Sequence, residues 1–458
     1  MNYISTRGAA PAVGFADMLL GALASDGGLY LPENWPTAVP LVSRHYQDVA
    51  RSILQPFATA ALLPEDLRED VAAAHASFDH ADIAPLVELE PGLCLLELFH
   101  GPTLAFKDIA LQLLARLMSR ELERRNARAT ILVATSGDTG SATIAAFGGQ
   151  PRVQIFVLHP KGRVSEVQRR QMTTSPHANV HNIALEGTFD DAQALVKQLF
   201  SDRDFAQTHF LTAVNSINFV RIVAQSVYYF TASARLGGPA RFVVPTGNFG
   251  DIFAGEAATR MGLEVAGLVA ATNANDILAR ALNDGVYAAH EAKATFSPSM
   301  DIQVASNFER ALFEASNRDG TWISQAMRAF SRERTLTIPD KVLASLRGRY
   351  QAFSISDEET LATIRHVHRR FGRLVDPHTA VGLAAATRVP ATDVPTVILA
   401  TAHPAKFPET VARATGLVAP LPPRLEQSYL EPERYSVLPT GAPELRAFIE
   451  ARSANHER

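Results

Sequence analysis

A single cysteine, Cys94, stands in a chain of 458 residues. One thiol cannot close an internal disulfide, which excludes a disulfide framework and fits a reducing compartment. Cys94 lies among Gly92, Leu93, Leu95 and Leu96, so it reads as a small buried hydrophobe and not as a nucleophile. No run reaches the roughly 18 uninterrupted apolar residues of a membrane span. The first ten residues carry no basic segment leading into an apolar core, so no secretory signal is expected there. A basic surplus is missing as well. The 47 acidic residues outnumber the 43 basic ones, giving −4 with no long basic run, which argues against a nucleic-acid partner or an electrostatic membrane anchor. The expectation is a cytoplasmic protein whose anion sites are local.

What is present reads as a soluble globular chain, too long for one core and suited to two or three domains. Residues 1–82 read as a mostly helical and irregular N-terminal region, broken by Pro32, Pro36, Pro40 and Pro56, with a helix opening at Pro64-Glu65-Asp66-Leu67. From about residue 130 the pattern changes. Apolar runs at 130–135, 153–158, 180–185, 241–244, 264–270 and 394–400 read as strands, and helical stretches at 191–200 and 219–236 lie between them. Continuous apolar strands alternating with helices predict an α/β fold with mainly parallel sheets. The division expected is 83–128 with 240–420 as a large α/β domain, 129–239 as a smaller one, and 421–458 as a proline-marked tail.

Phe99-His100-Gly101-Pro102-Thr103-Leu104-Ala105-Phe106-Lys107-Asp108 feeds an apolar run through Ile109, Leu111, Leu114 and Met118. That helix is apolar over most of its circumference and is expected to be buried. Lys107 then sits at its N-terminus, the unfavourable end for a cation. Burial and the helix end both favour the neutral amine, the form that attacks an aldehyde. The same segment also suits a lysine whose head reaches solvent.

Two glycine-rich turns follow predicted strands and precede helical runs: Thr135-Ser136-Gly137-Asp138-Thr139-Gly140-Ser141 and Pro245-Thr246-Gly247-Asn248-Phe249-Gly250-Asp251. Turns of this kind expose backbone N–H groups at a helix start and suit an anion. Neither matches the nucleotide-binding phosphate loop or the dinucleotide fingerprint. Either alone fits a plain tight turn; together with a poised lysine they suit the phosphate of a cofactor and the carboxylate of an amino acid.

Leu104-Ala105-Phe106-Lys107-Asp108, Ser136-Gly137-Asp138-Thr139-Gly140 and Gly247-Asn248-Phe249-Gly250-Asp251 resemble signatures of the threonine synthases, fold type II enzymes of pyridoxal 5'-phosphate (PLP). The segments 295–302, 306–310 and 401–407, and the opening Tyr3-Ile4-Ser5-Thr6-Arg7-Gly8, resemble further ones in family order. The resemblance implies two α/β domains and conversion of O-phospho-L-homoserine and water to L-threonine and phosphate. It implies that Lys107 carries PLP as a Schiff base and acts as the base. Gly247, Asn248, Phe249, Gly250 and Asp251 would cradle the cofactor phosphate, with the Asp251 carboxylate turned away from it. Thr401 would face the pyridine nitrogen, and Ser136, Gly137, Asp138 and Thr139 the substrate carboxylate. For the substrate phosphate the candidates are Lys161, with Arg163, and Asn215, Ser216 and Asn218 beside Arg221. An exposed solvated charge is an equal reading of Lys161.

No metal is expected, because His366 and His368 at i and i+2 do not share a helix face. Asp376-Pro377-His378-Thr379 reads as a helix start capped by Asp376. Rival activities are a threonine or serine deaminase, a phosphoserine-dependent synthase, or a silent sensor of a phosphorylated amino acid. A monomer or homodimer is expected.

Overall fold

The computed structural model describes residues 1–38, 43–59 and 61–453, and Pro40 lies outside the described residues. The chain divides into two compact units, one of residues 1–110 and 216–419, the other of 111–215 and 420–458.

The first unit is built on a six-stranded sheet. Its order is Tyr350–Ser354, Val265–Thr272, Ala240–Pro245, Thr396–Ala400, Leu93–Glu97, Leu86–Glu90. The first five strands run parallel, and Leu86–Glu90 pairs antiparallel with Leu93–Glu97. Central strands are apolar along their length because both faces are covered. Val243, Val269 and Ile398 lie in one buried cluster with Val381 and Ala385 of the helix Pro377–Ala386. Residues 1–82 belong to this unit: Tyr3–Ser5 pairs antiparallel with Tyr30–Pro32, and the Tyr3, Phe57 and Trp35 rings pack on Phe219.

The second unit has a five-stranded parallel sheet, ordered Ser436–Leu438, Val180–Leu185, Val153–Pro160, Ala129–Ala134, Leu211–Thr212. The strand Val153–Pro160 is buried at every position, as expected for a central parallel strand.

The strands expected at 130–135, 153–158, 180–185, 241–244, 264–270 and 394–400 are all present, displaced by at most two residues at either end. The helix Phe219–Leu236 has the bounds its periodicity gave. Three differences stand out. Pro56 does not break a helix but lies inside Tyr46–Ala58, two residues before its end. The units divide at Ala110 and Asn215 instead of 128 and 239, because helix Phe219–Leu236 packs on the first unit: the Tyr228 and Tyr229 hydroxyls both bond Asp251. Residues beyond 420 form part of the second unit, where Ser436–Leu438 joins the sheet edge and Leu445 and Ile449 bury against Ile183 and Leu195. Among the described residues no helix is long and apolar enough to cross a membrane.

Candidate active site

The lysine turn is held from both ends. Lys107 is the first residue of the helix Lys107–Arg124, whose Ile109, Ala110, Leu111 and Leu114 are all buried. The preceding turn bridges Ala105 to Ala402, and the backbone N–H of Phe106 donates to Thr401 O at 2.9 Å while that of His403 donates to Leu104 O at 3.0 Å. One short antiparallel bridge thus fixes Lys107 beside the end of the strand Thr396–Ala400, where Thr401 follows. Leu104 adopts φ 59° within this turn, a strained conformation that persists only where the surroundings impose it. Asp108 does part of that work. Fully buried, it accepts the backbone N–H and the hydroxyl of Thr103, each at 2.7 Å. Burial pushes its carboxyl up to about 6, opposed by the Thr103 bonds and by Lys406. The Thr401 side chain is buried.

The first glycine-rich turn joins the strand Ala240–Pro245 to the helix Gly250–Arg260. Phe249 takes φ 62° just before the helix, which carries no side-chain cap, and its ring packs into Phe308 and Tyr350 with centroids 5.3 and 5.1 Å away. Phe249 is therefore a core anchor whose contribution to an anion is its backbone. A Cβ on Gly247 would stand 3.1 Å from Met300 Cα and 3.2 Å from Ser299 O; one on Gly250 would stand 3.3 Å from Asn307 Nδ2 and 3.5 Å from Ser216 Cβ. Ser306 donates to Asn248 Oδ1 at 3.3 Å, its hydroxyl lies 3.5 Å from that of Ser216, and Asn307 N donates to Asn248 O at 3.0 Å. The Asn307 side-chain amide nitrogen is buried without a partner, and an unmet buried donor costs about 1–3 kcal/mol. A helix start with free N–H groups, three hydroxyl or amide side chains and an unmet donor form a fitting cradle for a phosphate.

Asp251 would oppose such a ligand if it faced it. Instead its carboxylate turns to α-helix Phe219–Leu236, where Tyr228 and Tyr229 donate to Oδ1. Burial pushes it up to about 7, while the two tyrosines and the Lys107 charge pull it back. Lys107 is thus within electrostatic reach of the residue that opens the cradle helix.

Behind Gly247 stands a buttress to which the sequence assigned no chemistry. Asp376 caps helix Pro377–Ala386, as read, and accepts His378 Nδ1–H at 2.9 Å. His378 Nε2 then accepts the Ser299 N–H at 3.2 Å, holding the turn that packs on Gly247. His403 is packed too. It caps the turn Pro404–Lys406 and meets the Phe99 ring edge-on at 5.5 Å, and burial lowers its pKa to about 4.

The second glycine-rich turn, in the other unit, is arranged differently. The Thr135 hydroxyl accepts the N–H groups of Gly137 and Gly140, both at 2.9 Å, so two backbone donors are used internally. Asp138 is buried against Gln168, which donates to it at 2.8 Å. The half-buried hydroxyls of Ser136 and Thr139 donate to none of the described residues. Gly137 is at φ 135°, and a Cβ there would meet Gln168 Cδ at 2.5 Å. Lys161 is about half exposed and pairs with Glu186 at 3.2 Å; Arg163 and Asn215 are exposed. Asn218 caps helix Phe219–Leu236 and its amide bonds Leu19 O, and Arg221 is buried. Ser216 lies beside Gly250 in the first cradle. Asn307 and Ser306 were quoted in the sequence only as part of a signature. Their signal as site residues is polarity just before a helix, Phe308–Ala315, that is buried along its length.

Three family models match the chain: threonine synthase N terminus over residues 2–75, pyridoxal-phosphate dependent enzyme over 83–339, and threonine synthase, C-terminal, over 379–449. A threonine synthase of Pseudomonas aeruginosa is 47% identical, with 98% of each chain covered. The chain belongs to the threonine synthase family. The solved structure of PLP-bound threonine synthase from Brucella melitensis superposes with a TM-score of 0.96 at 47% identity, covering 99% of each chain. The yeast threonine synthase structure gives 0.92 at 34% identity, again covering 99% of each. The chain is a PLP-dependent enzyme of fold type II, and the α/β architecture expected from the alternating pattern is the one this family has.

Proposed function

We propose that the chain converts O-phospho-L-homoserine and water to L-threonine and phosphate, with PLP attached at Lys107, as a monomer or homodimer in the cytoplasm. The observation that supports the site assignment most is the Ala105–Ala402 bridge, which sets the lysine turn against the strand end that bears Thr401. The lone buried thiol agrees with a reducing compartment.

The residues divide the work. The backbone of Gly247 to Gly250, with Ser216, Ser306 and Asn307, binds the cofactor phosphate. Thr401 gives its hydroxyl to the pyridine nitrogen, a neutral partner that does not enforce a positive ring. Bound PLP supplies an electron sink for negative charge developing at the substrate Cα. Lys107 Nζ takes the Cα proton and is the group within the site able to return one. The nearby Asp251 carboxyl and the Lys107 amine attract each other through their charges. Ser136 and Thr139 present hydroxyls to the substrate carboxylate, with Gly137 and Asp138 shaping the turn behind them. Lys161 and Asn215 are assigned to the substrate phosphate, which requires Lys161 to exchange Glu186 for it.

Two experiments test this reading. Phosphate release is measured with O-phosphohomoserine and O-phosphoserine, and ammonia release with threonine; phosphate release from the first alone, with threonine formed, is expected, and a preference for either of the others overturns it. Borohydride reduction of the yellow protein, followed by mass-spectrometric mapping, should place the label on Lys107; a label on any other lysine removes Lys107 from its role.

A further inference from the structure

Among the described residues Arg310 is the largest fully buried side chain. Guanidinium groups are almost never fully buried without an anionic partner, because the charge must give up its water. Here each hydrogen bond goes to a neutral oxygen: Nε to Tyr30 O at 3.1 Å, one terminal nitrogen to Ile217 O at 2.7 Å, the other to Asn307 Oδ1. The neighbouring Glu309 is committed elsewhere, to a two-pronged pair with Arg7 at 3.1 and 2.9 Å and to the Thr6 hydroxyl. Burial pulls the Arg310 guanidinium down to about 9, which leaves it charged at neutral pH. A buried positive charge that no carboxylate hydrogen-bonds, and that only Glu309 offsets from a distance, stands directly behind Asn307.

The contact also settles which way Asn307 points. A guanidinium only donates, so the amide oxygen faces Arg310 and the amide nitrogen faces the opposite side. That nitrogen is the buried donor without a partner, and it lies 3.3 Å from where a Cβ on Gly250 would stand, at the start of the cradle helix. Arg310 also holds Ile217, the residue after Ser216, whose Cβ is 3.5 Å from the same point.

We infer that Arg310 is a positioning residue for the anion cradle: it orients the Asn307 amide and the Ser216 segment toward a bound phosphate and supplies the positive charge that the phosphate balances. The inference deepens the assignment of Gly247 to Gly250 as the cofactor phosphate site and rests on it.

The test compares affinities for PLP and for pyridoxal, which lacks the phosphate, in wild type, Arg310→Gln, Arg310→Lys, Asn307→Ala and Gly250→Val. Cofactor is removed from purified protein and rebound, and the visible band is followed. Arg310→Gln and Asn307→Ala should each lose about tenfold or more in PLP affinity, the scale of a charge-assisted bond, with pyridoxal affinity unchanged. Arg310→Lys keeps the charge without the fork and should fall between wild type and Arg310→Gln. Equal losses for PLP and pyridoxal in Arg310→Gln, or no loss, overturn the role of Arg310 while leaving the cradle intact. If Gly250→Val also loses both ligands equally, the phosphate assignment itself fails. Should Arg310→Gln not fold, Arg310→Lys and Asn307→Ala decide the question by the same ratio.

Discussion

The two glycine-rich turns share one layout, a parallel strand, a tight turn and a helix start, yet they treat their backbone donors in opposite ways. At Gly247 to Gly250 the helix has no side-chain cap, its acidic residue Asp251 is drawn off to two tyrosines, and an amide donor is left unmet. At Ser136 to Thr139 the Thr135 hydroxyl already occupies two N–H groups, and the acid Asp138 stays in the first helical turn, tied to Gln168. The first turn leaves a buried donor unmet, as would suit an anion that stays bound. The second satisfies itself and leaves two hydroxyls spare, as suits a ligand that arrives and departs each turnover. The same layout therefore treats its donors in two ways, and the difference lies in Tyr228, Tyr229 and Asn307, distant in the chain, for one, and in the adjacent Thr135 with the distant Gln168 for the other.

Four substitutions probe that contrast, in decreasing order of effect. Lys107→Ala removes attachment point and base together, so phosphate release should fall by about three orders of magnitude or more. If the cradle works independently of the lysine, the variant still retains PLP non-covalently on gel filtration. Gly137→Ala breaks the second turn alone: the φ of 135° and the 2.5 Å approach to Gln168 should cost about 2 kcal/mol in a denaturant titration, with cofactor retention kept. Thr401→Val should lose roughly one hydrogen bond, about 1 kcal/mol, in catalysis while its melting temperature stays near wild type; unaltered kinetics would remove Thr401 from the ring nitrogen. Asp251→Asn acts on stability through pH. The folded carboxyl, held at about 7 by burial, binds a proton that the unfolded one near 4 has released. Between those values the folded state binds more protons, so this group makes stability fall as pH rises from about 4 to about 7. The difference in melting temperature between Asp251→Asn and wild type should grow over that window; a constant difference would show that the carboxyl is not buried as described.

Much of this was legible in the sequence. Strands such as Val153–Pro160 are buried throughout and mostly apolar because they are central and parallel, and their apolar runs mark them well. Edge strands were missed for the same reason in reverse: Leu86–Glu90 and Tyr350–Ser354 carry Glu88, Glu90, Gln351 and Ser354 where one side is open. The tail shows only weak periodicity in sequence because Ala442–Ser453 buries only Leu445 and Ile449. At the site, Lys107 and the two turns are visible as local motifs, and the need for Asp251 to face away follows from charge once the family resemblance makes its loop the phosphate cradle. Its tyrosine partners, the His378 buttress and the Arg310 contact were not visible. They are tertiary meetings of residues that look, in sequence, like core aromatics, a helix cap and a surface arginine.

The most direct test of the contrast is a side-by-side measurement of PLP affinity and of kcat/KM for O-phosphohomoserine in Gly250→Val and Thr139→Val, both shown to melt near wild type. Gly250→Val should lose PLP affinity and regain activity in excess PLP. Thr139→Val should keep PLP and its visible band, lose kcat/KM, and gain nothing from added PLP. If Thr139→Val loses PLP while Gly250→Val retains it, the two turns have been assigned the wrong way round.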